Sequence, residues 1–245
     1  LNAWCVESGI SLGQVKTSGK SNEITAIPEL IKSLELNGCI VTLDAMGCQT
    51  KIAGLIIDKG ADYVLALKGN QGNLNKQVKA FFEDAVKTDF KDIVFDTYQT
   101  IDPEHGRIET RKYTTVSEID WLQGKENWKG LKTIVRVESA RDIDDEIRKE
   151  TRYYISSLEN NAQEIGKAIR GHWRIENSLH WKLDIGFRED ECRKRKGYGA
   201  ENFAVLRQIA LNLLNQEKTI MKHGVKVKRL RAGWDNDYLL TVLNG

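Results

Sequence analysis

The chain has 245 residues, of which 40% are hydrophobic and 29% are charged, so it is long enough to bury a sizeable core. No run approaches the ~20 apolar residues of a membrane span and no signal-peptide pattern is visible, which excludes a protein anchored by apolar helices. The net charge is only +2, but residues 188–231 hold twelve Lys and Arg against five Asp and Glu, so a polyanionic partner is one interpretation and a solvated charged face is the other.

The first half of the chain alternates between strand-like and helix-like segments. Such an alternation predicts an α/β core with parallel strands. Pro28 could mark the true start of the first helix. The predicted elements are a hairpin of Leu1–Cys5 and Ile10–Val15, the helix Glu23–Leu36, the buried strand Cys39–Leu43 with a buried free thiol at Cys39, the helix Gln49–Asp58, the buried strand Asp62–Leu67 and the helix Gln71–Val86.

The middle of the chain differs, because its pattern is typical of antiparallel strands. We therefore expect a mixed sheet flanked by helices in residues 1–90 and 158–216, a β-rich insertion in residues 91–157 and a basic C-terminal segment in residues 217–245. The predicted elements are the strands Ile93–Thr97, Ile108–Val116, Leu131–Glu138 and Arg152–Ser157, followed by helices from about Asn161 to Leu183 and from Glu201 to Gln216.

Asp44 ends the first apolar strand and is followed by the short run Ala45-Met46-Gly47. In open α/β sheets, ligands and catalytic groups gather at the carboxyl ends of strands, so an acid there is well placed to hold a divalent cation. Asp is also a favoured N-cap residue, and Asp44 could instead cap the following helix. Position alone leaves both interpretations open.

Glu176 is unusual, because a wheel drawn at ~100° per residue places it on the apolar face of its helix. That face is formed by Ile165, Ile169, Leu179 and Leu183, with His172 and His180 four residues to either side of Glu176. A carboxylate on a core face is costly unless it is paired or bound to a metal. A metal ligand, a buried Glu–His pair and a zinc site of His172, Glu176 and His180 all stay open, although the last lacks the HExxH order.

Basic and aromatic residues are interleaved near both acids. Lys194 and Arg195 belong to a basic run that precedes Tyr198, and this pairing suits DNA ends that must be opened and held. The segment Lys68–Gln71 follows a strand and could contact a phosphate, although a turn is the simpler interpretation. Arg107, Glu109 and Arg111 are spaced by two, which predicts a solvated strand face able to touch DNA. The candidate DNA contacts so far are Lys68, Asn70, Gln71, Arg107, Arg111, Lys194 and Arg195.

Five segments together resemble the H-repeat-associated insertion-sequence transposases, which belong to the DDE superfamily. The likeness runs from about Gly13 to Leu214, and blocks of this length in this order are highly specific. The segments are KSNEITAIPELI (Lys20–Ile31), VTLDAMGCQ (Val41–Gln49), DYVLALKGNQ (Asp62–Gln71), HGRIETR (His105–Arg111) and HWRIENSLHWKLDIGFRED (His172–Asp190).

The resemblance implies an RNase H-like catalytic core with a β insertion and two Mg²⁺ ions, replaceable by Mn²⁺, held by two Asp and one Glu. Asp44 matches the second Asp of this triad and Glu176 matches the Glu. The first Asp lies on an earlier strand in relatives, and no residue here matches it. Because the chain begins with Leu1 and enters a strand at once, we expect it to be truncated at its N-terminus.

The helix that carries Glu176 departs from the family pattern. Related transposases often have a Tyr and an Arg where this chain has Ile169 and His172, and a Lys where it has Leu183. We expect His172 and Lys182 to substitute in contacting DNA ends. Because Mg²⁺ prefers oxygen ligands, the histidines are expected to touch DNA or the ligands rather than the metal. The expected DNA contacts on this helix are His172, Arg174, His180 and Lys182.

The implied function is Mg-dependent DNA cleavage and strand transfer at insertion-sequence ends. We expect a homodimer on DNA, associated with the nucleoid in the bacterial cytoplasm, with no membrane partner. Scattered cysteines without CxxC spacing agree with a reducing compartment. Two alternatives stay open: an inactive remnant that at most binds DNA, because one ligand is unmatched, and an RNase H-like nuclease without strand transfer.

Overall fold

The structure is a computed structural model that describes residues 1–16, 23–104, 107–143, 146–194, 196–219 and 223–244. Two candidate residues are affected by these limits: Arg195 lies outside the described residues, and only the backbone of Arg107 is described. The chain forms two compact units, here called the helical unit (Leu1–Leu30 with Gly171–Gly245) and the sheet unit (Ile31–Arg170). The division of the chain into a core, an insertion and a basic segment remains a prediction.

The elements follow one another in the order that the sequence predicts. The first half contains β1 (Asn2–Cys5), β2 (Ile10–Gln14), α1 (Glu23–Ser33), β3 (Ile40–Leu43), α2 (Thr50–Asp58), β4 (Asp62–Leu67) and α3 (Gly72–Lys87). The second half contains β5 (Phe95–Glu104), β6 (Arg107–Val116), β7 (Thr133–Ile143), β8 (Glu146–Ser156), α4 (Ala162–His172), α5 (Trp181–Phe187), α6 (Gly199–Gln216), α7 (Val225–Ala232) and α8 (Asn236–Asn244). Pro28 lies inside α1 and does not mark its start.

The sheet unit is built on six strands in the order β3-β4-β8-β7-β6-β5. The strands β3 and β4 are parallel, with Leu43 opposite Leu65, and the other neighbouring pairs are antiparallel. The predicted mixed α/β sheet is therefore confirmed. Because β3 and β4 run in the same direction, the turns that follow them leave the sheet at the same edge. Asp44 follows one strand and Lys68 follows the other.

The strand β3 is less buried than its apolar sequence predicts. It pairs only with β4 among the described residues, so it is an edge strand, and Ile40 is exposed. Cys39, predicted to be a buried thiol, is exposed as well. The buried cysteine is instead Cys48, in the turn before α2. The prediction of full burial holds for β4, which has a partner strand on each side.

The strands β5 to β8 are longer than predicted, and they extend the same sheet rather than forming a separate one. β5 runs from Phe95 to Glu104 and includes Pro103, which the ladder accommodates because β5 is an edge strand. At their far ends these strands are mostly exposed and carry many charged side chains among isolated apolar ones such as Ile101, Ile108 and Ile147, so their sequences lack the apolar alternation that identifies a half-buried strand.

One core cluster of the sheet unit lies between the sheet and α4. Its buried side chains come from four strands, from Leu158 after β8 and from α4, which contributes Ile165 and Ile169. Their partners in this cluster are Val64, Tyr113, Val135, Val137, Tyr154 and Leu158. Fully burying one such aliphatic side chain contributes about 1.5–3 kcal/mol. The apolar face of α4 is therefore explained without Glu176.

The helical unit joins its N-terminal hairpin to α6 through polar side chains. The Ser11 hydroxyl donates to the Gln208 amide oxygen over 2.8 Å, and the Gln208 amide donates to Asn2 and Gln14. The Asn212 side chain accepts from the Ser11 backbone amide and donates to the Ser11 carbonyl. Buried polar groups are tolerated when each has a partner, so these hydrogen bonds specify how the hairpin packs against α6. They are called the polar seam below.

The predicted long helix from Asn161 to Leu183 is interrupted. α4 ends at His172, one turn of π-helix covers Glu176–His180, and α5 begins at Trp181. In the C-terminal segment the described residues form α7 and α8, which composition alone does not predict. Within the described ranges, no helix combines the length and apolar character that a bilayer crossing requires.

Candidate metal and DNA site

Asp44 lies in the turn after β3, and its side chain is exposed. Its Oδ1 atom accepts hydrogen bonds from the backbone amides of Met46 (3.1 Å) and Gly47 (3.2 Å). Among the described residues, none forms a hydrogen bond or ion pair with Oδ2. The helix α2 begins at Thr50 with Gln49 as its N-cap, so the interpretation of Asp44 as a cap of that helix is wrong. Asp44 instead closes its own turn, and its side chain keeps one oxygen without a hydrogen-bond partner in the described part of the chain.

Asn70 and Gln71 contact the turn that contains Asp44. The Asn70 Nδ2 atom donates to the carbonyl of Ala45 over 2.5 Å, and the Gln71 Nε2 atom donates to the carbonyl of Cys48 over 2.9 Å. Both residues belong to the short 3-10 turn Gly69–Gln71 that follows β4. Lys68 precedes this turn and is exposed. Their assignment as DNA contacts remains a prediction.

Burial of the neighbouring Cys48, together with the charge of Asp44, raises the pKa of its thiol to about 12. The thiol therefore stays protonated at neutral pH and does not compete for a hard cation.

Glu176 begins the π turn, and its side chain is 62% exposed. Its Oε2 atom lies 3.3 Å from Nδ1 of His180, whose side chain is 40% exposed. The predicted position on a core face is therefore wrong, and so is the buried Glu–His pair. A wheel at a constant angle fails here because a π turn bonds i to i+5 and holds more residues than an α turn. Consistent with this, Leu179 and Leu183 pack with Leu211, in a different cluster from Ile165 and Ile169.

The donor chemistry of the two carboxylates fits a divalent cation such as Mg²⁺. Each side chain has at least one oxygen that forms no hydrogen bond with a described residue, and oxygen is the ligand that Mg²⁺ prefers. Within the described ranges, however, no three His, Cys, Asp or Glu side chains are grouped as a metal site. His172, Glu176 and His180 therefore do not form the zinc site that the sequence leaves open.

The other candidates on this helix differ in exposure. Arg174 is exposed, and His172 is half-buried and makes an edge contact with the Trp173 ring at 5.7 Å. The Lys182 ammonium donates to Asn215 over 3.0 Å. Burial lowers the pKa of Lys182, as does the charge of Lys228. The Lys182 ammonium is therefore already engaged in a hydrogen bond with another side chain of the protein.

Arg111 is mostly buried, with 12% of its side chain exposed, so the predicted solvated face of β6 is wrong at this residue. Its guanidinium contacts Asp102 at 3.0 Å and Glu109 at 2.5 Å. Glu109 is also buried and accepts from Arg141 over 2.7 Å. Burial alone would raise the pKa of Glu109, but the Arg141 hydrogen bond and the Arg111 charge hold it below its usual value. The role of Arg111 in binding DNA remains a prediction.

Lys194 is exposed, and its ammonium lies 3.6 Å from the centroid of the Phe203 ring. This cation–π contact places a positive charge beside an aromatic face, and the role of Lys194 in binding DNA remains a prediction.

Gln49 is not among the site residues that the sequence predicts. The hydrogen bonds that Asn70 and Gln71 donate to the turn containing Asp44 are not predicted either. The Gln49 amide oxygen lies 3.4 Å from the Gln71 amide nitrogen, and its own nitrogen donates to the Met46 carbonyl. One signal is available in the sequence: polar amide side chains follow both parallel strands within six residues of the strand end. Since parallel strands end at one sheet edge, these amides can meet there.

Comparison with known proteins identifies relatives along the whole chain. Residues 2–213 match the family described as "Transposase DDE domain". The chain is 42% identical over its full length to "H repeat-associated putative transposase YhhI" of Escherichia coli K12, and 43% identical to "Putative protein YbfL" of the same strain. It is 44% identical over 99% of its length to "Putative transposase YncI" of Escherichia coli O157:H7.

The chain spans 65% of the length of YhhI and of YbfL, and 62% of YncI. No solved structure matches it significantly. The mixed sheet flanked by helices is the arrangement expected of an RNase H-like core. Because the family match covers most of the chain and full-length identity exceeds 40%, the chain belongs to the family of transposases with a DDE domain.

Proposed function

We propose that this chain carries the catalytic part of a transposase that cleaves DNA at the ends of an insertion sequence and joins them to target DNA. The observation that carries the proposal is Asp44, exposed at the carboxyl end of β3 with one oxygen held by two amides and the other open. A solvent-facing carboxylate in a fixed turn is suited to hold a cation, because its orientation is set before the cation arrives.

Asp44 and Glu176 are the residues that would hold Mg²⁺ or Mn²⁺. The chemistry that a bound pair of divalent cations supplies is activation of a water or a 3′-hydroxyl and stabilisation of the oxygen that leaves the scissile phosphate. Both carboxylates contribute negative charge and hard oxygen donors at solvent-exposed positions. The triad of the family has a further Asp, which no residue of this chain matches.

The proposed DNA contacts are basic side chains. Exposed cations such as Arg174 and Lys194 neutralise phosphates, and their binding is therefore expected to weaken with added salt. We further propose that residues 1–90 and 158–216 form the core, 91–157 the insertion and 217–245 a basic segment. The protein is expected to act as a homodimer on DNA, on the nucleoid in the bacterial cytoplasm.

The test uses the protein translated from the complete reading frame that contains this chain. It is incubated with labelled insertion-sequence ends, Mg²⁺ and a target plasmid, and cleaved and joined products are separated on gels. We expect both products from the wild type, and neither from Asp44→Asn or Glu176→Gln. Asp84→Asn and Glu191→Gln are matched controls, because they neutralise exposed acids elsewhere in the same two units.

Three outcomes contradict the proposal in different ways. Cleavage without any joined product indicates a nuclease. DNA binding without cleavage indicates an inactive remnant. Full activity in Asp44→Asn and Glu176→Gln shows that other residues hold the cation.

A further inference from the structure

We propose that Asn70 and Gln71 are positioning residues that hold the turn carrying Asp44 in its metal-binding conformation. The turn Asp44–Gln49 is called the Asp44 turn below. The inference rests on the proposed function of Asp44, but the contacts on which it stands lie wholly within the sheet unit. It gives the two amides a different task from the phosphate contact that their sequence suggests.

The two side chains reach the Asp44 turn from the turn after the neighbouring strand. The register of β3 and β4 places Leu43 opposite Leu65, so the chain leaves both strands at the same edge of the sheet. From there, Asn70 donates to the carbonyl of Ala45 and Gln71 donates to the carbonyl of Cys48. The amides thus bind the Asp44 turn near its beginning and near its end.

The Met46 amide belongs to the same peptide group as the Ala45 carbonyl that Asn70 binds, and the Gly47 amide lies between the two contacts. The amides of Met46 and Gly47 donate to Asp44 Oδ1, and they follow Ala45 and precede Cys48 in the chain. Fixing the carbonyls of Ala45 and Cys48 therefore restricts the peptide units that hold the carboxylate. Asn70 and Gln71 act on Asp44 through this backbone, since no contact joins either side chain to the carboxylate.

Neutral amides suit this task better than charged side chains. A Lys or Arg at the same place could also donate to the two carbonyls, but its charge would attract Asp44 and compete with a cation. An amide donor holds the backbone and leaves the charge of Asp44 uncompensated. The contacts also use one N–H of each amide that would otherwise be available to a phosphate.

The test compares Asn70→Leu and Gln71→Met, which keep the shape of each side chain and remove its donor, with Asn73→Leu as a control. Asn73 is exposed on the first turn of α3, and no contact to it is described. Hydrogen exchange at the Met46 and Gly47 amides is measured in the protein from the complete reading frame. The same protein is assayed for DNA affinity and for the Mg²⁺ concentration that gives half-maximal cleavage.

We expect exchange at Met46 and Gly47 to accelerate about 2- to 10-fold in each variant, the change that loss of one hydrogen bond produces in an opening equilibrium. The Mg²⁺ requirement should rise while DNA affinity stays unchanged, and Asn73→Leu should behave as the wild type. If Gln71→Met lowers the thermal midpoint, the exposed Asn70→Leu variant still decides the question.

Unchanged exchange at both amides in both variants overturns the proposal. Weaker DNA binding with unchanged exchange overturns it in favour of a phosphate contact. If the wild type neither cleaves nor joins DNA, the proposed function fails, but the exchange measurement still decides whether the two amides hold the Asp44 turn.

Discussion

The Lys228 ammonium lies 3.1 Å from the Glu217 carboxylate, and both side chains are almost wholly buried. The ammonium also donates to the carbonyl of Leu214 over 3.2 Å, and the Tyr238 hydroxyl donates to Glu217 over 2.9 Å. This network joins the end of α6 to α7 and α8. A buried charge of this kind depends on its partner, because water cannot replace it.

We therefore predict that Lys228→Met lowers the free energy of unfolding by about 3–5 kcal/mol, since it removes the cation that compensates a buried carboxylate. The matched control is Lys226→Met, which removes an exposed cation from the same helix and should change stability by less than about 0.5 kcal/mol. Urea unfolding followed by circular dichroism measures both. Equal effects of the two substitutions would contradict the prediction.

The same network predicts a dependence of stability on pH. Burial by itself raises the pKa of Glu217, but hydrogen bonds from Thr219, Tyr238 and Lys228 outweigh it and lower the pKa from 4.5 to about 2. A carboxyl whose pKa is lowered by folding stabilises the fold above its unfolded pKa, and this contribution is lost as the pH falls from 4.5 toward 2. Glu217→Gln should flatten the loss of unfolding free energy across this interval. A profile parallel to that of the wild type would argue against the network.

Glu176→Gln should leave both stability and DNA binding unchanged, because Glu176 is exposed. We expect its free energy of unfolding to change by less than about 0.5 kcal/mol. As a contrast, Leu179→Ala in the same π turn removes a fully buried side chain and should cost about 2–5 kcal/mol. Unfolding of the Glu176→Gln variant would contradict this prediction and favour the buried Glu–His pair instead.

Neutralising Lys194 and Arg195 with Gln should weaken DNA binding and flatten its salt dependence. Each lost phosphate contact reduces the slope of log affinity against log salt by about 0.9, so the double variant should lose up to about 2. Fluorescence anisotropy at several salt concentrations measures the slope. Lys76→Gln with Lys91→Gln removes the same charge from exposed positions in the sheet unit and is the control. An unchanged slope would mean that Lys194 and Arg195 are merely solvated.

Arg111→Met separates a structural role from a DNA contact. The substitution leaves Asp102 and Glu109 with fewer partners and should lower the free energy of unfolding by about 1.5–3 kcal/mol, the value of a hydrogen bond to a charged group. Lys112→Met, at the next residue of β6 and exposed, is the control and should be neutral. Weaker DNA binding at unchanged stability would assign Arg111 to DNA instead.

The parallel strands and their turns could be predicted because their sequence signals are local. Asp44 follows a short apolar run, and the alternation of strands and helices around it is regular. The exposure of Cys39 could not be predicted, because whether β3 is an edge strand depends on which strands pair. The far ends of β5 to β8 could not be predicted either, since their charged side chains and isolated isoleucines carry no period-two pattern.

The surroundings of Glu176 could not be predicted for a different reason. A helical wheel assumes one angle per residue, and the π turn Glu176–His180 breaks that assumption within a single helix-like segment. The burial of Arg111 is likewise invisible in the sequence, because its partner Asp102 lies on another strand and also pairs with Arg170 of α4. Asn70 and Gln71 were identified as candidates, but their partners across the sheet edge were not.

The polar seam between the hairpin and α6 has a consequence for the order of folding during synthesis. Ser11 and Gln208 are separated by 197 positions in the chain, so the hairpin has no docking site until α6 leaves the ribosome. At translation rates of about 5–20 residues per second, that interval is roughly 10–40 s. The sheet unit, Ile31–Arg170, is synthesised entirely within this interval. It can therefore fold before α6 is available to the N-terminal strands.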